Sequence, residues 1–413
     1  IYQKIDSLII APTGSGKTEC SVIPFFSQIK ETKKQGKIKL LYVTPQRSLN
    51  RDIHHRIAKY AELDGLTIEK RDGDTTPSQR KKISESPPDV LITTPETLGL
   101  LLSQQKYLVA LSELERIIID EVHELLASER GSQLSISLER LQLNSNQKII
   151  RTGLSATVGN VEDAGRFLVG TNKPCKIIQD KSMRKYVVPV KFVDGSMSDV
   201  ADYVIAHVKK SGIISPILLF ANTRSESEEL SKFLRKKTKK HIELHHGSLS
   251  RQVREEAEAW LKNESTDGMI VACTSSLELG LDISSVELVI HYCSPRQVSK
   301  LMQRIGRSKH RRNTPANGII ITNRTDDELE ARAILDRIKN GSIEEQKIHN
   351  ESLDVLAHHL VGLSFQMGEI SIDFAFKIIK QAYPFRNITL DEFCNVLEIL
   401  DQIFILFFDK KKM

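Results

Sequence analysis

A single tryptophan and five cysteines are spread over 413 residues. The cysteines (Cys20, Cys175, Cys273, Cys293 and Cys394) are odd in number and never form a C-x-x-C pair. This excludes a disulfide scaffold, argues against a cysteine-rich metal site and points to a reducing compartment. Long apolar runs are missing too. The longest late one, 403–408, covers six positions, whereas a bilayer span needs about 18 or more. No membrane partner is expected, and the expected location is cytoplasmic. Position 1 is isoleucine, no charged-then-apolar leader follows, and the apolar segment Leu8-Ile9-Ile10 comes almost at once. The sequence therefore reads as a piece of a longer chain with no visible signal peptide. Internal repeats and low-complexity tracts are absent, which sets aside solenoids and disordered tails. Neither sign of charge dominates. Lys and Arg number 59 against 53 Asp and Glu, a net charge of +6, which tolerates a polyanionic partner without demanding one.

What remains is an ordinary globular composition, 40% hydrophobic and 27% charged, with a strong rhythm. Short apolar runs alternate with polar, helix-patterned stretches. The strand candidates are 7–11, 40–44, 90–93, 116–120 and 148–154, then 216–221, 242–246, 268–274, 287–292 and 318–322. Helical segments such as 47–62 and 96–102 separate them. Near-continuous apolar strands alternating with helices predict parallel sheets covered on both faces, an α/β fold. Breaks at 170–187 and 340–350 divide the chain into a first domain, 1–180, a second, 185–340, and a partial α-rich domain, 350–413. The last should hold helices starting near Leu353 and spanning 372–381 and 390–401. Trp260 falls in step with Val253 and Ala257, which predicts a buried helix face. His245 and His246 read as strand-end residues, because no cysteine or carboxylate cluster accompanies them.

The run Ala11-Pro12-Thr13-Gly14-Ser15-Gly16-Lys17-Thr18 follows a strand and should open a helix. Gly14 and Gly16 let backbone N–H groups curl around phosphate oxygens at a helix N-terminus. Lys17 offers a cation to the β and γ phosphates, and Thr18 offers a hydroxyl to Mg2+. Taken without that context, the run is a Gly-Ser turn beside a solvated lysine. Asp120-Glu121-Val122-His123 closes the apolar run 117–119, and a carboxylate at the C-terminal end of a parallel strand faces the ligand crevice. Asp120 suits Mg2+, and Glu121 suits a general base for the attacking water. An isolated acidic pair after a strand is more often a helix N-terminus, and the upstream phosphate loop is what favours the catalytic reading.

Further runs are Leu154-Ser155-Ala156-Thr157, Gln303-Arg304-Ile305-Gly306-Arg307, Thr44-Pro45-Gln46-Arg47, Thr94-Pro95-Glu96 and Thr274 through Asp282. With the two motifs above, these resemble superfamily 2 helicases, and within them the large helicase-related (Lhr) family of ATP-dependent DNA helicases. The resemblance covers nearly the whole chain. It implies two tandem RecA-like domains followed by the start of a winged-helix domain. The implied cofactors are ATP and Mg2+, and the implied partner is nucleic acid: single-stranded DNA, a duplex or an RNA:DNA hybrid. Carried over residue by residue, it implies nucleotide contacts at Thr13, Gly14, Ser15, Gly16, Lys17, Thr18, Gly280 and Asp282. Asp120, Glu121, Lys17, Gln303 and Arg307 would perform hydrolysis, Arg307 as an arginine finger, with Mg2+ at Thr18 and Asp120. Thr44, Arg47, Thr94, Glu96, Arg224 and Thr274 would line the nucleic-acid track. His123, Ser155 and Thr157 would couple hydrolysis to movement. The family also suggests 3′-to-5′ travel and duplex unwinding.

Two plain readings compete. Ser155-Ala156-Thr157 alone would suit a helix N-cap, and Arg304, Arg307, Arg311 and Arg312 could form one solvated basic face. There are also departures from the family pattern. His310 stands where many superfamily members have arginine, and Lys309 replaces a small residue. Gln3 is too close to Lys17 to be the expected adenine-reading glutamine. The rival functions are a DEAD-box-like RNA-remodelling ATPase and a non-hydrolysing nucleic-acid clamp.

Overall fold

A computed structural model describes residues 4–12, 14–32, 34–156, 158–180, 186–261, 269–278, 286–308 and 316–409. It divides into two compact units, one built from 1–11, 16–180 and 345–413, the other from 12–15 and 181–344.

The first unit is organised by a parallel sheet in the order β3-β4-β2-β5-β6-β1-β7. Its strands are β1 (Ser7–Ile10), β2 (Leu40–Val43), β3 (Ile68–Arg71), β4 (Val90–Thr93), β5 (Arg116–Ile119), β6 (Ile150–Ser155) and β7 (Lys176–Gln179). Alternation of side chains along each strand fills both faces. Leu41, Val43, Ile117 and Ile119 enter one core, and Leu40, Tyr42, Ile118 and Ile92 enter the other. Helices cover both, as continuous apolar strands require. The edge strands depart from the apolar pattern and were missed by it: β3 reads Ile-Glu-Lys-Arg and is half-buried, and β7 lies in the stretch read as a boundary.

The second unit repeats the plan. Strands β8 (Tyr186–Val187), β9 (Val190–Phe192), β10 (Ile217–Phe220), β11 (Ile242–His245), β12 (Ile270–Cys273), β13 (Leu288–Tyr292) and β14 (Ala316–Thr322) form a parallel sheet. The order is β11-β12-β10-β13-β14, with the short β8 and β9 along the outer edge of β14. Leu218, Phe220, Val271 and Val289 face one core, while Leu219, Ile270, Ala272 and Ile290 face the other.

Two expectations about side chains change. Trp260 is 44% exposed, set beside the His241 ring with centroids 5.1 Å apart. The helix Arg251–Leu261 instead buries Ala257, Glu258 and Leu261. The tail helices Leu353–Met367, Ile372–Gln381 and Leu390–Gln402 form their own apolar cluster, but this cluster includes Ile136 from the helix Glu129–Asn144 of the first unit. Arg140 on the same helix is fully buried and reaches into the tail. Its Nε donates to Gln366 Oε1 at 3.0 Å and its Nη2 to the Gly362 carbonyl at 2.8 Å, and Nη1 lies 3.2 Å from His359 Nδ1. Tyr383 donates to Asp163 Oδ1 at 2.7 Å. The tail is thus packed into the first unit rather than standing apart. Beyond it, Phe404 and Phe407 are 96% and 90% exposed.

Candidate active site

β1 ends at Ile10, and the Ala11 N–H extends its pairing by donating to the Ser155 carbonyl at 3.1 Å. Gly14 and Gly16 then take φ of 76° and 84°, left-handed values that glycine adopts without penalty. The helix Lys17–Thr32 starts immediately after. Lys17 Nζ donates to the Ala11 carbonyl at 2.6 Å, so the cation is held over its own loop. Thr18 is buried. Thr13 lies outside the described residues.

Asp120 follows β5 at the middle of the sheet, its N–H donating to the Val43 carbonyl at 2.8 Å. Both carboxylate oxygens are engaged. Oδ1 accepts from the Glu121 N–H at 2.9 Å, and Oδ2 accepts from the Tyr42 hydroxyl at 2.7 Å. Tyr42 also meets the Thr18 side chain, tying the loop residue to the acid. Burial, and then the charge of Glu121, push the Asp120 carboxyl up to about 6, while Lys17 pulls the other way. Glu121 has φ of 47° and ψ of 49°, an unusual conformation for a residue with a side chain and one that clusters at functional sites. Its Oε2 is buried and has no hydrogen-bond partner among the described residues, lying 3.5 Å from His123 Nδ1. His123 Nδ1 stands 3.0 Å from Ser155 Oγ and accepts from the Ala156 N–H at 3.4 Å. This places the ring proton on Nε2, which faces Glu124 Oε1 at 3.4 Å. Ser155 is therefore no helix cap: Asn160 caps Val161–Val169, accepting from the Asp163 N–H at 3.1 Å. Thr157 lies outside the described residues.

Thr44 and Thr94 follow the adjacent strands β2 and β4, on the same C-terminal edge as Asp120. The Thr44 N–H donates to the Thr93 carbonyl at 3.0 Å. The Thr44 hydroxyl lies 2.6 Å from Asn50 Oδ1, and Asn50 donates to Asp72. Arg47 is exposed at its tip and donates to Asp74 Oδ1 at 2.9 Å. It passes so close to Gly73 that a Cβ there would stand 2.6 Å from its guanidinium carbon. Thr94 is the N-cap residue of Pro95–Leu101. Glu96 pairs with Arg130, which also donates to the Pro45 carbonyl at 2.5 Å. Burial pushes the Glu96 carboxyl up, but Arg130 outweighs it and holds the group below its usual range.

In the second unit, Arg224 opens the helix Arg224–Lys237 and is exposed, behind a capping box made by Thr223 and Glu226. Thr274 follows β12 and opens the 3-10 turn Ser275–Leu277. Gln303, Arg304 and Arg307 are 6%, 3% and 2% exposed, so the solvated basic face does not form at these positions. Arg307 donates from Nε and Nη2 to the Glu278 carbonyl at 3.1 and 2.7 Å. Sequence reasoning missed Tyr42, Glu278 and the buried role of Arg304. The available signal was a lone carboxylate, Glu278, in an otherwise apolar run. Gly280, Asp282, Lys309, His310, Arg311 and Arg312 lie outside the described residues.

A phosphate-type loop, a buried acidic pair at the end of the central strand and two tandem parallel-sheet α/β units define a helicase-type motor fold. Known families agree with this. A DEAD/DEAH box helicase profile matches residues 1–164, a helicase conserved C-terminal domain matches 175–313, and the winged-helix domain of large helicase-related proteins matches 336–403. The chain is 38% identical to an ATP-dependent helicase Lhr-Core of Methanocaldococcus jannaschii, over 97% of its own length and 50% of that protein. It is 35% identical to the Lhr-Core protein 2 of Thermococcus barophilus, over 97% of its own length and 49% of the relative. The structure of Mycobacterium smegmatis helicase Lhr bound to ssDNA and AMP-PNP superposes with a TM-score of 0.86 at 31% identity, over 97% of this chain and 54% of that one. The chain thus carries two helicase domains and an Lhr-type winged-helix domain, and it resembles the large helicase-related family of superfamily 2 helicases. It spans about half the length of these curated relatives.

Proposed function

We propose that this chain is an ATP-driven motor that moves along single-stranded nucleic acid, DNA in preference and 3′ to 5′, and separates the paired strand. The observation that carries this reading is the set of Lys17, Thr18, Asp120 and Glu121 gathered on one sheet edge beside Thr44 and Thr94. In this reading Gly14 and Gly16 shape the loop, together with Thr13 and Ser15, and Lys17 leaves the Ala11 carbonyl to meet the nucleotide phosphates. Thr18 and Asp120 would hold Mg2+, which supplies charge neutralisation at the phosphates when bound. Two buried carboxylates side by side, one with a free oxygen, suit a nearby cation. Glu121 takes the proton of the attacking water through its unengaged Oε2. Gln303 and Arg307, with Gly280 and Asp282, complete nucleotide chemistry from the second domain. His123 and Ser155, with Thr157, relay its outcome.

Thr44, Arg47, Thr94, Glu96, Arg224 and Thr274 form the track, gripping backbone rather than reading bases. We take 1–180, 185–340 and 350–413 as the domains of this motor. The ssDNA and AMP-PNP held by the M. smegmatis relative support the same ligands here. The test is steady-state ATP hydrolysis with and without single-stranded DNA and RNA, at several salt concentrations. Turnover stimulated by DNA, with an affinity that falls steeply with salt, is expected. Stimulation by RNA alone would favour a remodelling ATPase, and no hydrolysis would favour a clamp.

A further inference from the structure

Within the second unit, one buried guanidinium is held from several elements at once. Arg304 lies in the helix Val298–Ile305. Its Nε donates to Glu278 Oε1 at 2.5 Å, and its Nη2 pairs with the same carboxylate oxygen. Its Nη1 donates to Asn222 Oδ1 at 3.2 Å and meets His291 Nε2. The guanidinium carbon stands 5.4 Å from the centre of the Phe220 ring. His291 Nδ1 lies 2.8 Å from the Cys293 carbonyl, so Nδ1 carries the proton and Nε2 is free to accept. Glu278, 4% exposed, is gripped at both ends. Its carboxylate takes Arg304, and its backbone carbonyl takes both donors of Arg307.

We propose that Glu278, anchored by Arg304, is a positioning residue that links Thr274 to Arg307. This rests on the reading of Thr274 as a nucleic-acid contact and of Arg307 as the arginine finger. One 3-10 turn separates Thr274 from Glu278. It is closed by Leu277 N–H to Thr274 O at 3.4 Å and Glu278 N–H to Ser275 O at 3.0 Å. Such a turn moves as a piece, so displacement at Thr274 arrives at the Glu278 carbonyl, and that carbonyl sets where the Arg307 guanidinium lies. The ion pair explains why the turn ends in a fixed place. A carboxylate with 4% exposure must stay with its cation, and the cation is itself fixed by Asn222, His291 and Phe220. An apolar pair of similar volume would stabilise the fold as well or better, yet would leave the turn free to slide. Binding of nucleic acid and the placement of a charge needed for hydrolysis would then be connected inside a single domain.

The test uses Glu278→Gln, Arg304→Met and the double variant in the whole chain. Amide hydrogen exchange without nucleotide is the first readout. Segments 274–278 and 303–308 should exchange at least about tenfold faster together in either variant, while β10 and β13 keep their protection. The second readout is DNA-stimulated ATP hydrolysis. kcat should fall at least about tenfold with KM for ATP within about threefold, and the double variant should be no worse than the poorer single one, as expected of residues acting as a unit. Arg304→Lys, which keeps the charge, should recover part of kcat. Unchanged exchange at 303–308 in a folded Glu278→Gln protein would overturn the proposal, as would additive losses. If the unaltered chain shows no DNA stimulation, the functional reading fails, while the exchange data still decide the positioning claim.

Discussion

Asp120 has both carboxylate oxygens occupied by the Tyr42 hydroxyl and the Glu121 N–H, whereas Glu121 Oε2 has no hydrogen-bond partner among the described residues. Adjacent residues thereby receive different work, one oriented to hold and one free to accept a proton. Glu121 also departs from the strand conformation, with a left-handed backbone of the kind that clusters at functional sites. Lys17, Thr18 and the acidic pair were legible in the sequence because each sits at a fixed offset from a strand end. Tyr42 was not. Its partner Asp120 is remote in sequence, and no spacing rule connects an apolar-looking strand residue to a distant acid. The pairing of Arg304 with Glu278 was hidden for the same reason, and the alternative of a solvated arginine face is set aside by the burial of Arg304 and Arg307. At this scale the account predicts that Arg307→Ala lowers kcat by about a thousandfold or more, with a smaller change in nucleotide binding, because a finger stabilises charge that develops in the transition state. Paired turnover and nucleotide-titration measurements check this. Loss of binding at unchanged kcat would make Arg307 structural.

Elements whose residues are buried on both faces were the easiest to find. β2 is apolar throughout, β4 and β5 each hold three consecutive apolar residues beside Thr93 and Arg116, and the observed limits of all three fall within a residue of expectation. The edge strands leave no such run: β3, β7 and β9 carry lysine, arginine or glutamate, and β8 is only two residues long. The three tail helices were legible from their periodicity. Their docking was not, because the helix Glu129–Asn144 serves two cores, with Leu134 and Leu138 toward the sheet and Ile136 and Arg140 toward the tail. This seam gives stability a pH dependence. Burial, and then the charges of Arg140 and His358, hold the His359 imidazole well below its ordinary pKa, against a weaker opposing bond to the backbone of Gln133. Below about pH 6.5 the unfolded chain therefore binds a proton at this site that the folded chain refuses. The stabilisation is complete above that pH and is lost as pH falls toward the lower folded value. His291 acts in the same direction. His359→Gln should flatten the drop in melting temperature between pH 7.5 and 5.5, and an unchanged slope would contradict the assignment. Arg140→Ala should cost about 3 kcal/mol, since several hydrogen bonds to one buried charge vanish and a cavity remains. For the same reason, a chain cut before the tail uncovers Arg140 and the Tyr383 site. Any loss of unwinding in such a chain would reflect a damaged first unit as well as a missing tail.

Across the whole molecule, two α/β units share the same plan. The first holds Lys17, Thr18, the acidic pair and one stretch of the proposed track. The second holds the buried arginines and the remaining track residues. Among the described residues no helix is long and apolar enough to cross a membrane. The exposed Phe404 and Phe407 leave an apolar surface at the end of the tail, the kind of patch that lowers solubility. The central claim is that hydrolysis by this chain depends on nucleic acid and on the free carboxylate oxygen of Glu121. The most direct measurement is DNA-stimulated ATP turnover by the unaltered chain and by Glu121→Gln, with nucleotide binding measured on both. The account predicts stimulated turnover in the first, and in the second a loss of about a hundredfold or more with nucleotide still bound. Turnover in Glu121→Gln equal to that of the unaltered chain would contradict it.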